Sequence, residues 1–370
     1  MVPVLEAVTG RLTEGYEDGR LTNDRLVRQL EEEAAAFLDV RHVVAVASCT
    51  SGLILALQEL SGARPVVLPS FTFSASAHAV AWNGGSTVFA ECELETAQID
   101  TGDVERRLDG AGAILATHVF GAPCHAEQLE AMARTAGIPV VFDAAHGFGA
   151  TRQGRMVGGF GDAEVFSMSP TKLVVAGEGG LVATNRDDVA EHVRLGRDYG
   201  NPGNYDTQFV GLNARLSEFH AAVALESLAI LPEHLARRRE LAALYSSALR
   251  GIDGIKPQVV GDGDESTYKD YTIRVEADTF GISRDTVVEA LARDGIQTRQ
   301  YFSPPVHLQA AYAHAGKPGL LVTERLAGQV VSLPIYPALT DADIDRVAGV
   351  VGALHGTATA VRDALAVSER

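Results

Sequence analysis

The sequence predicts an α/β protein with a mostly parallel central sheet flanked by helices, followed by a smaller C-terminal α/β layer. Three observations carry that expectation. Short apolar runs alternate with longer helical segments from His42 to Arg197, the order expected of a sheet covered on both faces. Turns rich in Gly, Ser and Thr punctuate the alternation. From about Glu233 the character changes, and a charged helix leads into a Gly/Asp-rich connector. At 370 residues the chain is long enough for two domains, divided here into 1–235 and 236–370.

The elements follow in order. LVRQLEEEAAAFL at Leu26–Leu38 has apolar residues at helical spacing. HVVAVA at His42–Ala47 reads as a buried strand, which runs through SCTSG (Ser48–Gly52) into the helix LILALQEL. Pro65–Leu68 is a strand, Phe71–Trp82 a helix, Thr87–Ala90 and Ala113–Thr117 strands, and Ala126–Ala136 a helix. Pro139–Asp143 is the strand that delivers Asp143. After the segment around Lys172 come strand Leu181–Thr184 and helix Asp187–Arg197. Ser217–Leu231 is apolar and helical, with Pro232 expected to break it. Beyond the connector KPQVVGDGDEST lie strand Tyr271–Val275, helix Ser283–Arg293, strand Ile296–Arg299, and helices near Glu324–Gln329 and Asp341–Leu354. The terminal AVRDALAVSER reads as a helix that frays.

Composition narrows the function. The chain is 46% hydrophobic and 21% charged, with a formal net charge of −17 and a pI near 5.0. That charge argues against bulk binding to nucleic acid or an anionic membrane, so phosphate recognition must use local donors. Cys49, Cys92 and Cys124 lack any CxxC spacing and read as reduced thiols. The opening VPVLEAVTGRLTEGYEDG is too acidic for a signal peptide, and no apolar run approaches a membrane span. A cytoplasmic enzyme is expected. There is no GxGxxG in register, no P-loop, no HExxH and no GxSxG elbow, and no metal is expected.

One constellation survives. Lys172 lies in Ser167-Met168-Ser169-Pro170-Thr171-Lys172, between an apolar run and the glycine turn Gly177–Gly180. A lysine held in such a loop is driven towards its neutral amine by burial, which suits a Schiff base. Asp143 ends an apolar strand, where ligands bind in open α/β sheets. A carboxylate there can keep a proton on a pyridine nitrogen, as pyridoxal phosphate (PLP) requires. Taken alone, the pair also fits a surface lysine and a turn aspartate. In SCTSG a strand, a short polar turn and a helix N-terminus make an anion site with Thr50 and Ser51 as candidate phosphate ligands. Simple capping explains the same residues.

With these residues in view, the sequence resembles the nucleotide-sugar aminotransferases of the DegT/StrS group, which are fold-type-I PLP enzymes. The resemblance is carried by GRLTNDRLVRQLEEEAAAFL, VVAVASCTSGLILAL, VVLPSFTFSASAHAVAWNGGSTVF, VFDAAHGFGA, FSMSPTKLVVAGEGGLVATN, GLNARLSEFHAAVALESL and SLPIYPALT, all in order. It implies Lys172 as the Schiff-base lysine, Asp143 as partner of the pyridinium nitrogen, and His146 beside the phenolic oxygen. It places Thr50, Ser51 and Ser167 on the phosphate and Phe73 over the pyridine face. Asn213 would reach the phosphate of a partner subunit's cofactor, which implies a homodimer with shared active sites. Arg299, Tyr301 and His307 would line the substrate entrance. From the residues alone, Phe73 also reads as core, His146 as a turn residue and Asn213 as a turn former.

Three departures from the group stand out: the segment SMSPTK, Leu212 and Ala214 where relatives often carry tyrosines, and AECELETAQID in place of an Asp-rich turn. The first two bear on substrate identity and leave the PLP chemistry intact. The implied reaction is transamination of a nucleotide-linked keto-deoxysugar, best guessed as a dTDP-4-keto-6-deoxyhexose, with an amino donor such as L-glutamate. PLP would cycle through its pyridoxamine form (PMP). Amination of a cyclitol ketone is the alternative within the group. Dehydratases of the group carry His at the lysine position, and Lys172 argues against them. A PLP-bearing regulatory or sensor protein is the reading from a different class, and neither a helix-turn-helix nor a basic patch supports it.

Overall fold

The computed structural model describes residues 3–16, 19–315 and 318–368. Its strands are β1 (His42–Val46), β2 (Val66–Pro69), β3 (Thr87–Ala90), β4 (Ala113–Thr117), β5 (Val140–Asp143) and the small hairpin β6 (Thr151–Arg152) and β7 (Arg155–Met156). They continue with β8 (Ala163–Ser167), β9 (Gly180–Thr184), β10 (Ile255–Pro257), β11 (Tyr271–Val275) and β12 (Val330–Leu333). The helices of the first part are α1 (Leu5–Tyr16), α2 (Arg25–Leu38), α3 (Cys49–Leu60), α4 (Ser74–Trp82), α5 (Thr101–Arg106), α6 (Ala126–Ala136), α7 (Asp187–Gly196) and α8 (Glu218–Ala229). Then come α9 (Leu231–Ala248), α10 (Ala277–Phe280), α11 (Arg284–Arg293), α12 (Leu321–Gln329) and α13 (Asp341–Ser368).

The main sheet has the order β1-β9-β8-β5-β4-β2-β3. Pairings β3–β2–β4–β5–β8 are parallel, and β9 alone runs against its neighbours β1 and β8. The expectation of a mostly parallel sheet holds, and its strands are apolar on both faces because helices cover both. On one face α2, α6 and α8 bury Leu26, Leu30, Leu129 and Leu225 against Val43, Ile114 and Phe142. On the other α3, α4 and α7 bury Leu53, Ala77 and Val189 against Val44, Leu115 and Val165. The first turn of α2 has no side-chain cap of its own. The Glu218 carboxylate of α8 accepts the amides of Asp24 and Leu26 at 2.8 and 2.6 Å instead, a charge-assisted cap that ties two helices together.

The smaller antiparallel sheet β10-β11-β12 packs with α9, α11 and α13 around Tyr245, Ile273, Leu291 and Val351. A separate aromatic cluster, in which Phe71 meets Phe120 and Phe302 edge-on at 6.0 and 5.5 Å, fastens the segment after residue 300 over the end of β2. Among the described residues no helix is long and apolar enough to cross a membrane.

Four local expectations need correction. Helix Phe71–Trp82 begins only at Ser74, because Phe73 is extended at the N-cap with φ −74° and ψ 145°. The helix expected over Ser217–Leu231 ends two residues early, at Ala229, and Pro232 lies in the first turn of the next helix, α9, where its missing N–H costs nothing. Ile296–Arg299 is not a strand: Arg299 alone pairs with Ser332 before the chain turns away. The helix expected to end near Leu354 continues to Ser368 and absorbs most of AVRDALAVSER, whose last two residues lie outside the described range.

Candidate active site

Backbone groups at the carboxyl ends of parallel strands have no further ladder partners and are free to meet a ligand. Here β1, β2, β4, β5 and β8 end at one edge, and the reversed β9 begins there. A cavity of about 330 Å³ opens at that edge. Thr50, Phe73, Asp143, His146, Ser167 and Lys172 all line it, with Tyr301 reaching in from the C-terminal part. The sheet topology thus gathers residues far apart in sequence. Phe73 is 60% exposed at the mouth, which excludes the core reading.

Asp143 is the last residue of β5 and is buried. Ser76 Oγ donates to its Oδ2 at 2.6 Å, and the Ala145 amide donates to Oδ1 at 3.2 Å. Behind Ser76 the buried hydroxyls of Thr72 and Thr117 continue the chain at 2.9 and 3.0 Å. Hydrogen bonds to a charged group contribute about 1.5–3 kcal/mol each, so this relay fixes the carboxylate while lone-pair capacity remains on it. Sequence reasoning missed Ser76, Thr72 and Thr117, since Ser and Thr among small residues carry no distinguishing signal. Cys49 Sγ lies 4.0 Å from Asp143 Oδ1. Burial, reinforced by Asp143, pushes its thiol well above the ordinary range, so it stands as a neutral thiol.

Lys172 is held by its amide, which donates to the Ser169 carbonyl at 3.0 Å. Burial first, then the nearby Lys269, lowers its pKa below the usual lysine value, against the opposing pull of Cys49, Asp143 and Asp270. A neutral amine is what nucleophilic and proton-transfer roles need. Burial, Lys172 and Lys269 together hold His146 well below 6.5, so its ring is neutral. Lys269 was not singled out from the sequence. It is a lone lysine before a strand, and only the fold shows it beside Lys172.

Helix α3 begins at the cavity wall. Ser48 and Ser51 form a reciprocal capping box: each backbone N–H is accepted by the other's hydroxyl at 3.1 Å. Ser51 therefore spends its hydroxyl on the cap and does not line the cavity, a correction to its reading as a phosphate ligand. The amides of Cys49 and Thr50 are first-turn donors without intrahelical acceptors, and both residues line the cavity. Gly180 lets β9 press against this turn, since a Cβ there would stand 2.6 Å from the Cys49 nitrogen. Two amides, the Thr50 and Ser167 hydroxyls and the helix dipole make a neutral cradle that fits a phosphate. With Asp143 and Lys172 across the same cavity, the donor set fits PLP.

The remaining expected residues scatter. Arg299 is exposed and lines an adjoining cavity of about 550 Å³. Tyr301 and Lys269 line both cavities. His307 lines neither. It is buried with Nδ1 2.6 Å from Ser70 Oγ, Nε2 3.3 Å from Glu324 and its amide on Ser70 Oγ. It pins the entrance segment to the end of β2 instead of facing substrate. Asn213 is exposed, with Oδ1 accepting from Arg215 at 3.4 Å, and it does not line its own chain's cavity. Among the described residues no cluster of His, Cys, Asp or Glu is suited to a metal.

A doubly covered parallel sheet with this site at its carboxyl edge defines a PLP-dependent aminotransferase of fold type I. Residues 5–352 match the DegT/DnrJ/EryC1/StrS aminotransferase family, and the chain belongs to that family. GDP-perosamine synthase of Caulobacter vibrioides is 33% identical over 331 residues, spanning 87% of this chain and 88% of its own. The dTDP-3-amino-3,4,6-trideoxy-alpha-D-glucose transaminase of Streptomyces venezuelae is 35% identical over 330 residues, spanning 87% and 85%. The crystal structure of DesI with its TDP-sugar product matches with a TM-score of 0.92 and 36% identity, across 100% of this chain and 94% of that one.

The electrostatics of His146 yield a pH test on the cofactor-free protein. The folded state keeps the ring neutral, whereas the unfolded state takes a proton as pH falls through 6.5. Its contribution to stability is complete above that pH and is lost below it, by up to about 1.4 kcal/mol per pH unit. Melting temperature should fall more steeply in wild type than in His146→Gln as pH is lowered to about 5. Parallel curves would mean that the ring protonates freely in the folded state.

Proposed function

We propose that the enzyme transfers an amino group from L-glutamate to a nucleotide-linked keto-deoxysugar, best fitted by a dTDP-4-keto-6-deoxyhexose. The observation that carries the reaction is the meeting of Lys172, Asp143 and the α3 N-terminus in one cavity. The dTDP- and TDP-sugar relatives support the substrate class. The adjoining cavity, with Arg299 at its exposed side, gives room for the rest of a nucleotide sugar. In this reading residues 1–235 form the cofactor-binding domain and 236–370 the smaller one. A cytoplasmic location belongs to the same proposal, since nucleotide sugars and free glutamate are cytoplasmic solutes.

Bound in the cavity, PLP supplies an electron sink for the carbanion formed at the donor's α-carbon. The chain's own residues do the rest. The α3 amides with Thr50 and Ser167 hold the phosphate, and Asp143 keeps the ring nitrogen protonated. Phe73 covers one face of the ring and neutral His146 stands beside it. Lys172 Nζ removes the proton from the donor's α-carbon in the first half-reaction. In the second it returns a proton to the carbon that becomes the sugar amine. The first transfer needs the amine free of its ammonium proton at neutral pH, which burial and then Lys269 favour, and the second is made from the ammonium that carries the proton to be returned.

The proposal includes a homodimer with shared sites. The loop Asp198–Leu216 carries Asn213 together with Tyr199, Tyr205 and Val210, the last two 95% and 83% exposed. Apolar side chains left out on a polar loop are what a protein interface covers. Asn213, turned away from its own cavity, is free to complete the phosphate cradle of a second copy.

Two tests separate these parts. The PMP form, mixed with a panel of dTDP-, GDP- and UDP-linked keto-sugars, should aminate a dTDP-4-keto-6-deoxyhexose, read by mass spectrometry. Amination of a cyclitol ketone alone would redirect the assignment. Mixing Asn213→Ala with Lys172→Ala subunits should restore up to about half of the activity of one intact site per dimer. A monomeric active species by light scattering, or no rescue after demonstrated exchange, would place the whole site within one chain.

A further inference from the structure

Lys269 and Asp270 are given no contact with substrate in the chemistry described, yet they stand where the two cavities join. Lys269 lines both cavities, together with Thr171, Lys172 and Tyr301, and Asp270 lines the larger one. The side chains are 7% and 11% exposed. Lys269 Nζ donates to Asp270 Oδ1 at 2.9 Å and lies 5.9 Å from the centre of the Tyr301 ring. An ammonium carries three donors, so one is committed to Asp270 and two remain. Asp270 Oδ2 is buried with no hydrogen-bond partner. The neutral His146 ring has its Nδ1 3.9 Å away, beyond hydrogen-bond reach.

The pair is held in place from behind. Arg238 Nη1 donates to the carbonyls of Tyr268, Lys269 and Ile335 at 2.9, 3.3 and 3.1 Å. Thr267 Oγ1 donates to the His146 carbonyl at 2.8 Å, which ties the strip 267–270 to the turn beside the cofactor site. Leaving a buried carboxylate oxygen unpaired is costly unless a ligand completes it.

The chemistry of that ligand follows from what is open. A carboxylate would satisfy Lys269 but would be repelled by Oδ2. An ammonium would satisfy Oδ2 but not the spare N–H groups. A hydroxyl does both, accepting from Lys269 Nζ and donating to Asp270 Oδ2. We propose that the Lys269–Asp270 pair reads a sugar hydroxyl next to the carbonyl that is aminated. The substrate is then a keto-sugar that keeps that hydroxyl, not one already deoxygenated there. This rests on the keto-sugar reading above and narrows it.

The test compares two matched sugars on one enzyme, so that any change in cofactor chemistry cancels. With dTDP-4-keto-6-deoxy-D-glucose and its 3-deoxy analogue, wild type should favour the first by about 100-fold or more in kcat/KM, the penalty for leaving buried polar groups unpaired. Asp270→Asn should reduce that ratio to within about tenfold. Lys269→Met/Asp270→Asn, which strands no buried charge, should abolish it. Calorimetric binding of the unreactive dTDP-6-deoxy-D-glucose and dTDP-3,6-dideoxy-D-glucose to the holoenzyme should show the same loss of preference. A ratio that survives in both variants, or wild-type affinities for the two unreactive sugars within about twofold, would overturn the inference while leaving amination itself untouched. No amination of any keto-sugar by wild type would instead refute the reading on which it rests.

Discussion

A parallel sheet collects its carboxyl ends at one edge, and the backbone that leaves each strand there must turn over the same small area. Reversal of β9 is what makes this edge chemically complete. It brings the glycine turn before Gly180 to the place where β5 and β8 deliver Asp143 and the Lys172 loop. Gly180 then allows the β1–α3 turn to close against it without a Cβ in the way. The α3 N-terminus, Asp143 and Lys172 therefore meet as consequences of one packing arrangement, in which helices cover both faces of the sheet.

Electrostatics divides the labour inside that arrangement. The chain carries a net charge of −17, yet its cavity is lined by two lysines and by helix amides. Neutral donors suit the phosphate because they need no counter-charge when the site is empty of ligand. The lysines serve a different end. Lys269 is hydrogen-bonded to Asp270 at 2.9 Å, whereas Lys172 has its pKa lowered by burial first and by the neighbouring Lys269 second. The two lysines in one buried space differ in setting, since Lys269 has the Asp270 carboxylate at hydrogen-bond distance.

Much of this was legible in the sequence. Asp143 ends an apolar run and Lys172 sits in a Ser/Pro/Thr segment before a glycine turn, so local pattern and strand-end logic located both. Thr50 was legible from the strand, polar turn and helix N-terminus, whereas Phe73, His146 and Ser167 came only through the family likeness. Ser51 and His307 line neither cavity, because a residue's place in a site depends on where its side chain points. Ser51 Oγ donates to the Ser48 carbonyl at 2.8 Å, and His307 Nδ1 lies 2.6 Å from Ser70 Oγ, a partner that no local sequence pattern reveals. The segment Ile296–Arg299 has the composition of a strand but meets β12 at one residue only. Ser76 and Lys269 were invisible because their partners lie in distant parts of the chain.

The central claim is that Lys172 Nζ is the group that carries the cofactor. The most direct measurement is borohydride reduction of the PLP-loaded protein, followed by protease digestion and mass mapping of the pyridoxyl label. The label is expected on the peptide containing Lys172 and on no other. A label on Lys269, the other lysine in the cavity, would contradict the division of roles between the two amines and would reassign the catalytic base.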